Sequence, residues 1–317
     1  MEAVRGGGEE MKAVVPQGVW PTMITPFRDN LEIDYGALAA LIEWYKAAKV
    51  DGLFAVCQSS EMFFLSLEER VLLASFVVSQ ANGELPVIAS GHVSERLEDQ
   101  IAEIEAISAT GIDVFVLLTN RLAKAEESDE VWRSNAERIL AAFPDQQFGL
   151  YECPYPYKRL LSTSLLEWCA STGRFLFIKD TCCNVGILEE RLRALKGTPL
   201  QLFNANSATL LDSLRLGAAG FSGVMANFHP DLYVWLTRNW QVQGERAERL
   251  QAFLGTASLI ELQMYPINAK HSLQLEGLPL KLFSRTKDYT AFDPHARLIV
   301  SQLGDTAAQY RGSLLDE

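Results

Sequence analysis

The chain has 317 residues, 48% hydrophobic and 21% charged, with a net charge of -12 at neutral pH. That balance belongs to an ordinary globular protein long enough for one large barrel or two modest domains, and its sign argues against nucleic acid or an anionic membrane surface as partners. The longest apolar stretches, such as residues 71–78, are too short to span a bilayer, and the N-terminus lacks the basic region and apolar core of a secretory signal.

The first strand is predicted at residues 19–25. A helix follows over 35–49, capped by Asp34, with Leu38, Leu41, Ile42 and Tyr45 on one apolar face. The second strand, 52–57, leads to a helix opened by Ser66 and Glu69, a capping box within "SLEERVLLASFVV". A strand at 86–90 precedes a helix over 96–110 with Ile101, Ile104 and Ile107 at helical spacing, and a strand at 114–119 precedes a helix over 129–143 for which Ser128 is the cap. Strands at 148–153, 175–179, 200–204 and 221–225 alternate with helices at 164–171, 188–195 and 208–216. The chain then turns helical at 232–240, 245–262, 270–275 and 294–303. Eight consecutive strand–helix units imply parallel pairing and predict a (β/α)8 TIM barrel with a C-terminal helical extension. The expected division is a flexible tail at 1–16, the barrel at 17–240 and the packed extension at 241–317. A doubly wound sheet is the rival, but no G-x-G-x-x-G follows the first strand and no phosphate-binding G-x-x-x-x-G-K-[ST] occurs anywhere.

Five cysteines, Cys57, Cys153, Cys169, Cys182 and Cys183, form an odd set with no C-x-x-C pair, which points to a reduced, cytoplasmic protein. Cys182 and Cys183 are adjacent on an extended segment, so their side chains point apart and read as structural. The four histidines, His92, His229, His271 and His295, lack metal-ligand spacing. Neither a metal nor a cofactor is expected.

In a barrel the chemistry sits at the C-terminal ends of the strands. That rule selects Thr25, the run Cys57-Gln58-Ser59-Ser60-Glu61, Ser90, Asn120, Tyr151, Lys179, Asn204 and the loop Met225-Ala226-Asn227. Lys179 ends the apolar run "FLFIKD" and shares a face with Phe175 and Phe177, which points it into the barrel mouth. Desolvation there would lower its pKa and yield the neutral amine that attacks a carbonyl. The competing reading has Lys179 facing solvent or paired with Asp180 or Glu152. Tyr151, on the preceding strand, is within reach of groups bonded to the lysine and suits a proton relay; alternatively it is a core tyrosine. Ser59 and Ser60 could offer hydroxyls and backbone N–H groups to a carboxylate, or simply fill a turn.

With these residues in order, residues 17–300 resemble the dihydrodipicolinate synthase and N-acetylneuraminate lyase family. The matching elements are "TPF" at Thr25, "SSE" at Ser59 followed by "LSLEER", "VIASG" at Val87, "YECP" at Tyr151, "FIKD" at Phe177 and "GFSGVMAN" at Gly220. The resemblance implies a class I, lysine Schiff-base lyase, an aldolase or dehydratase, acting on pyruvate or a related 2-oxo acid. Lys179 would be the nucleophile and Tyr151 the proton relay. Gln58, Ser59, Ser60, Asn204 and Ser222 would contact substrate, and the chain would assemble as a homo-oligomer, a tetramer before a dimer.

The departures fall on the substrate side. The family loop G-[ST]-T-G-E is Cys57-Gln58-Ser59-Ser60-Glu61 here, so an amide replaces a hydroxyl and both glycines are gone. The tyrosine pair that completes the synthase relay across a subunit interface is replaced by Arg121 and Leu122. The arginine that grips a dicarboxylate is Pro156, with Lys158 and Arg159 nearby, Glu152 stands for an asparagine, and Asn204 for a glycine. Two further readings follow: a true dihydrodipicolinate synthase, and a barrel that has lost turnover and serves as a binding or regulatory protein.

Overall fold

The computed structural model describes residues 15–315, so the tail expected at 1–16 lies outside the described residues apart from its last two, of which Val15 is buried. Eight parallel strands form one curled sheet: β1 (Gly18–Val19), β2 (Leu53–Phe54), β3 (Val87–Ala89), β4 (Val114–Leu118), β5 (Phe148–Tyr151), β6 (Phe175–Asp180), β7 (Gln201–Asn204) and β8 (Gly220–Phe221). Each pairs with its neighbour in sequence from β2 to β8, and β8 pairs with β1. A single parallel bridge between Thr22, just past β1, and Phe54 of β2 brings the remaining edges together. At the β1–β8 seam the backbones approach so closely that a Cβ added to Gly220 would lie 1.8 Å from the Gly18 carbonyl oxygen. Only glycine satisfies that approach.

The helices are α1 (Tyr35–Ala47), α2 (Leu67–Ala81), α3 (Leu97–Ser108), α4 (Thr119–Leu122), α5 (Asp129–Ala142), α6 (Thr163–Ser171), α7 (Val185–Leu195), α8 (Leu210–Arg215), α9 (Pro230–Asn239), α10 (Gly244–Ala257), α11 (Ile267–Leu275) and α12 (Pro294–Leu315). Asp34 caps α1 by accepting from the Ala37 amide at 3.2 Å, and Ser66 and Glu69 exchange both capping-box bonds at 3.1 and 2.8 Å. Ser128 occupies the N-cap position of α5 but its side chain makes no capping bond, so that expectation is corrected. The last helix runs a dozen residues past its predicted end at 303. Its second half is held by tertiary contacts: Tyr310 stacks on Phe253 at 4.6 Å, and Arg311 pairs with Asp231 at 2.6 Å and Glu276 at 3.2 Å.

An aromatic layer fills the barrel interior. Phe177 stacks on Phe203 at 4.6 Å, and Trp20 meets both edge-on at 5.8 and 6.0 Å. Phe54 closes the layer against Phe177 at 6.2 Å and Tyr151 at 5.8 Å. Each buried ring contributes about 1.5–3 kcal/mol of apolar transfer, and together they give the strand-end residues a rigid, dry floor. No described helix is long and apolar enough to cross a membrane.

Candidate functional site

Parallel register sets Tyr151 of β5 directly beside Lys179 of β6. Side chains alternate across a strand, so Lys179 follows Phe177 into the barrel while Asp180 turns outward. Lys179 is 3% exposed, and its Nζ lies 4.4 Å from the centre of the Tyr151 ring. Burial pulls its pKa down to about 8, although Cys57, Cys153 and Glu261 each act in the opposite sense. Burial likewise holds the Tyr151 phenol well above its ordinary value, so it keeps its proton at neutral pH.

The two carboxylates that could have paired with Lys179 are committed elsewhere. Glu152 receives both guanidinium arms of Arg191 at 2.8 and 3.0 Å, and accepts from the Leu161 and Thr181 amides at 2.8 and 3.1 Å. Asp180 bonds the same Arg191 and the Cys182 amide, the latter at 2.8 Å. Arg191, on α7 and itself buried, therefore draws both acids to the outer face of β5 and β6. No ion pair joins Lys179 to a carboxylate among the described residues, and burial then favours the neutral amine.

A cavity of about 470 Å³ opens above Lys179 and Tyr151. Gln58 and Ser59, just past β2, line one side; the Ser59 hydroxyl donates to Thr22 Oγ1 at 3.3 Å, and the Cys153 thiol donates to Gln58 Oε1 at 3.3 Å. A second wall is aromatic: Phe63 and Phe64 pack against Tyr155 at 4.9 and 6.3 Å. The far wall comes from the C-terminal extension through Glu261, Tyr265, Thr286 and Lys287. Glu61 ties the halves together, accepting from Lys270 Nζ at 3.4 Å, the Ser284 hydroxyl at 2.9 Å, and the Arg285 and Thr286 amides at 2.7 and 3.0 Å.

Of the residues selected from sequence, Lys179, Tyr151, Gln58, Ser59 and Glu61 meet at the cavity. Ser60 does not line it: its hydroxyl donates to the Cys57 carbonyl at 2.7 Å and accepts from the Cys57 amide at 2.8 Å, which shapes the loop. Asn204 sits on the outer face of β7, its amide donating to Thr209 and Ser213 at 3.0 Å each and its oxygen accepting from the Asn206 amide at 2.8 Å. Ser222 is buried below the mouth, its hydroxyl unpartnered among the described residues. Lys158 lines the cavity and donates to the Thr181 carbonyl at 2.7 Å. Arg159 turns away to Asp129 at 2.9 Å, Arg121 lies over the Phe63 ring at 5.2 Å, and Leu122 is buried. His92, a possible mouth residue, is buried and kept neutral, its pKa lowered to about 3 by burial; its Nε2 accepts from the Leu118 amide at 3.1 Å. Cys183 lines the cavity. No group of three or more His, Cys, Asp or Glu residues suited to a metal occurs among the described residues.

Sequence reasoning missed the extension's whole contribution, because the strand-end rule addresses only residues on the barrel. One signal was present: Glu261 is a lone carboxylate among Leu259, Ile260 and Leu262. It lines the cavity, and burial pushes its pKa up to about 7 while Lys179 pulls it back.

Comparison with known proteins agrees with this architecture. A 4-hydroxy-tetrahydrodipicolinate synthase of Sorangium cellulosum is 29% identical over 265 residues, spanning 82% of this chain and 86% of the relative. One from Oceanobacillus iheyensis is 26% identical over 264 residues, spanning 83% and 88%. Among solved structures, a prophage protein of the dihydrodipicolinic acid synthase family from E. coli K12, in complex with pyruvate, superposes with a TM-score of 0.82 at 22% identity, covering 93% of this chain and 98% of that one. The model of the Dihydrodipicolinate synthetase family matches residues 15–290, and the chain belongs to that family.

Proposed function

We propose that the protein is a Schiff-base-forming lyase acting on pyruvate or a related 2-oxo acid, with Lys179 as the amine and Tyr151 as its proton relay. The observation that carries this reading is the buried, uncompensated Lys179 at the floor of a cavity, with Asp180 and Glu152 both drawn away by Arg191. The neutral amine adds to the carbonyl carbon, its two N–H protons pass in turn through the Tyr151 phenol to the oxygen, and the oxygen leaves as water to give the imine. Solvent protonates the imine to the iminium, while the phenol ends protonated as it began. The iminium then withdraws electrons, so a carbon–carbon bond can be made or broken, or water eliminated, next to it. Because Gln58 Oε1 accepts from Cys153, its amide N–H groups are free to meet the substrate carboxylate beside the Ser59 hydroxyl.

The test is borohydride reduction in the presence of pyruvate, followed by intact-mass and peptide mapping. A stable adduct on Lys179 is expected, and its absence across a panel of 2-oxo acids overturns the reading. The names of the curated relatives favour a second reading, dihydrodipicolinate-type synthesis from pyruvate and aspartate semialdehyde. Against it, Arg159 is paired with Asp129, Arg121 lies over the Phe63 ring, and no guanidinium lines the cavity among the described residues, where the cations beside Lys179 are Lys158 and Lys287. A coupled assay with that aldehyde separates the two. Homo-oligomerisation is part of the same proposal; Leu254 and Ile260 pack internally, while Leu259 and Leu262 are 62% and 84% exposed and available to a second copy. Light scattering tests it.

A further inference from the structure

The extension brings one carboxylate into the cavity that the Schiff-base reading leaves without a task. Glu261 stands in the 3-10 turn Ser258–Leu262, between Ile260, which packs inward, and Leu262, which faces outward. Glu61, Glu152 and Asp180 are each met by a buried cation. No ion pair joins Glu261 to a cation among the described residues, and the charge that acts on it is Lys179 across the cavity. A partly buried carboxylate without a partner is unfavourable for folding alone, so its placement in one cavity with Lys179 calls for a chemical explanation.

We propose that Glu261 is the general base that removes a proton from C3 of the lysine-bound 2-oxo acid and returns it, interconverting imine and enamine. This rests on the Schiff-base reading above. The C3–H bond breaks, its electron pair becomes the C2–C3 double bond, the C2–N double-bond pair moves onto the Lys179 nitrogen, and the proton passes to a Glu261 carboxylate oxygen. The reverse step restores every atom, and no other reactant is consumed.

Tyr151 is poorly suited to this half of the work, because burial keeps its phenol protonated through the neutral range. Glu261, poised near 7 by burial, is ionised or readily ionised there. An iminium on Lys179 keeps a positive charge where the ammonium would be, which favours the carboxylate just when a base is needed. The other groups that feel Glu261 stay neutral: Tyr233 on α9, Tyr265 beyond the turn and Cys183 after β6 are all raised, chiefly by burial. The remaining charged residues of the lining are Lys158, Lys287 and Glu61.

The experiment follows exchange of C3 hydrogens for deuterium by proton NMR, with borohydride trapping of the same samples. Pyruvate is the first probe, followed by the panel members that give an adduct. With pyruvate saturating, so that imine formation does not limit, wild-type protein is expected to catalyse exchange at a rate that rises with pH through about 7 and levels off above it. Glu261→Gln is expected to keep its thermal midpoint and the Lys179 adduct, yet to exchange at least about 100-fold more slowly, without the rise near neutrality. Glu261→Asp should recover part of the rate together with the pH dependence. An adduct with exchange at the wild-type rate in Glu261→Gln overturns the assignment, as does loss of the adduct in that variant, which would place the residue before imine formation. Failure of wild type to form any adduct removes the Schiff-base reading itself, a result distinguishable from either.

Discussion

The strand ends that carry Tyr151 and Lys179 and the segment 258–287 face each other across one cavity, but they are held in place by different means. The strand ends are fixed from below by ring packing on Phe54 and Phe177, and from behind by the buried Glu152–Arg191–Asp180 cluster. The lining residues of the opposite wall stand in a 3-10 turn and in loops on either side of α11; Glu61 gathers Lys270 of α11 with residues 284–286, and Glu69 pairs with Arg285. Under the proposed function, the rigid half holds the amine that every substrate would meet. The other half would then meet whatever is attached to the 2-oxo acid, and its loops can be rebuilt without disturbing the amine.

The sharpest break of this comparison is Lys179→Ala, which should abolish the borohydride-trapped adduct while the fold, checked by circular dichroism, remains. Next, Tyr151→Phe should leave the adduct on Lys179 but slow its appearance by about 100-fold or more, read by quenched-flow mass spectrometry. Replacing the cation of the rear cluster, Arg191→Met, strands two buried carboxylates and should lower stability by about 3–5 kcal/mol in urea unfolding. Glu61→Gln is expected to do less, about 1–3 kcal/mol, since the amide oxygen can keep some of the donors, but it should weaken substrate binding more than it slows trapping. The smallest expected effect is in pH alone. Because the neutral amine attacks and Lys179 sits near 8, the trapping rate at low pyruvate should rise with pH through that value and level off above it. A flat profile from 6 to 9 would mean that the amine is already neutral or that a later step limits.

Much of the rigid half was legible in the chain. Its eight strands were placed by short apolar runs, and the position of Lys179 at the end of "FLFIKD" was enough to aim it inward, because strand alternation is a local property. The competing pairing of Lys179 with Glu152 or Asp180 could not be settled that way, since Arg191 reaches them from α7, 11 residues beyond Asp180 along the chain. Asn204 shows the limit of the strand-end rule: it stands at the end of β7, but alternation gives Phe203 the inward face and leaves the amide to brace the following loop. The helix boundary at 303 was missed for a related reason, as the stacking of Tyr310 on Phe253 and the pairing of Arg311 with Asp231 are invisible to periodicity.

The sequence by itself determined the barrel, the order of its strands, and the lysine–tyrosine pair at the mouth, because period-2 alternation and helix capping act over a few residues at a time and consecutive strand–helix units make parallel neighbours. Only the tertiary structure decided which acids are free and which are spent, and that the far wall is drawn from residues 261 to 287. Those outcomes depend on which distant side chains compete for the same charge, and a chain read in order carries no record of that competition.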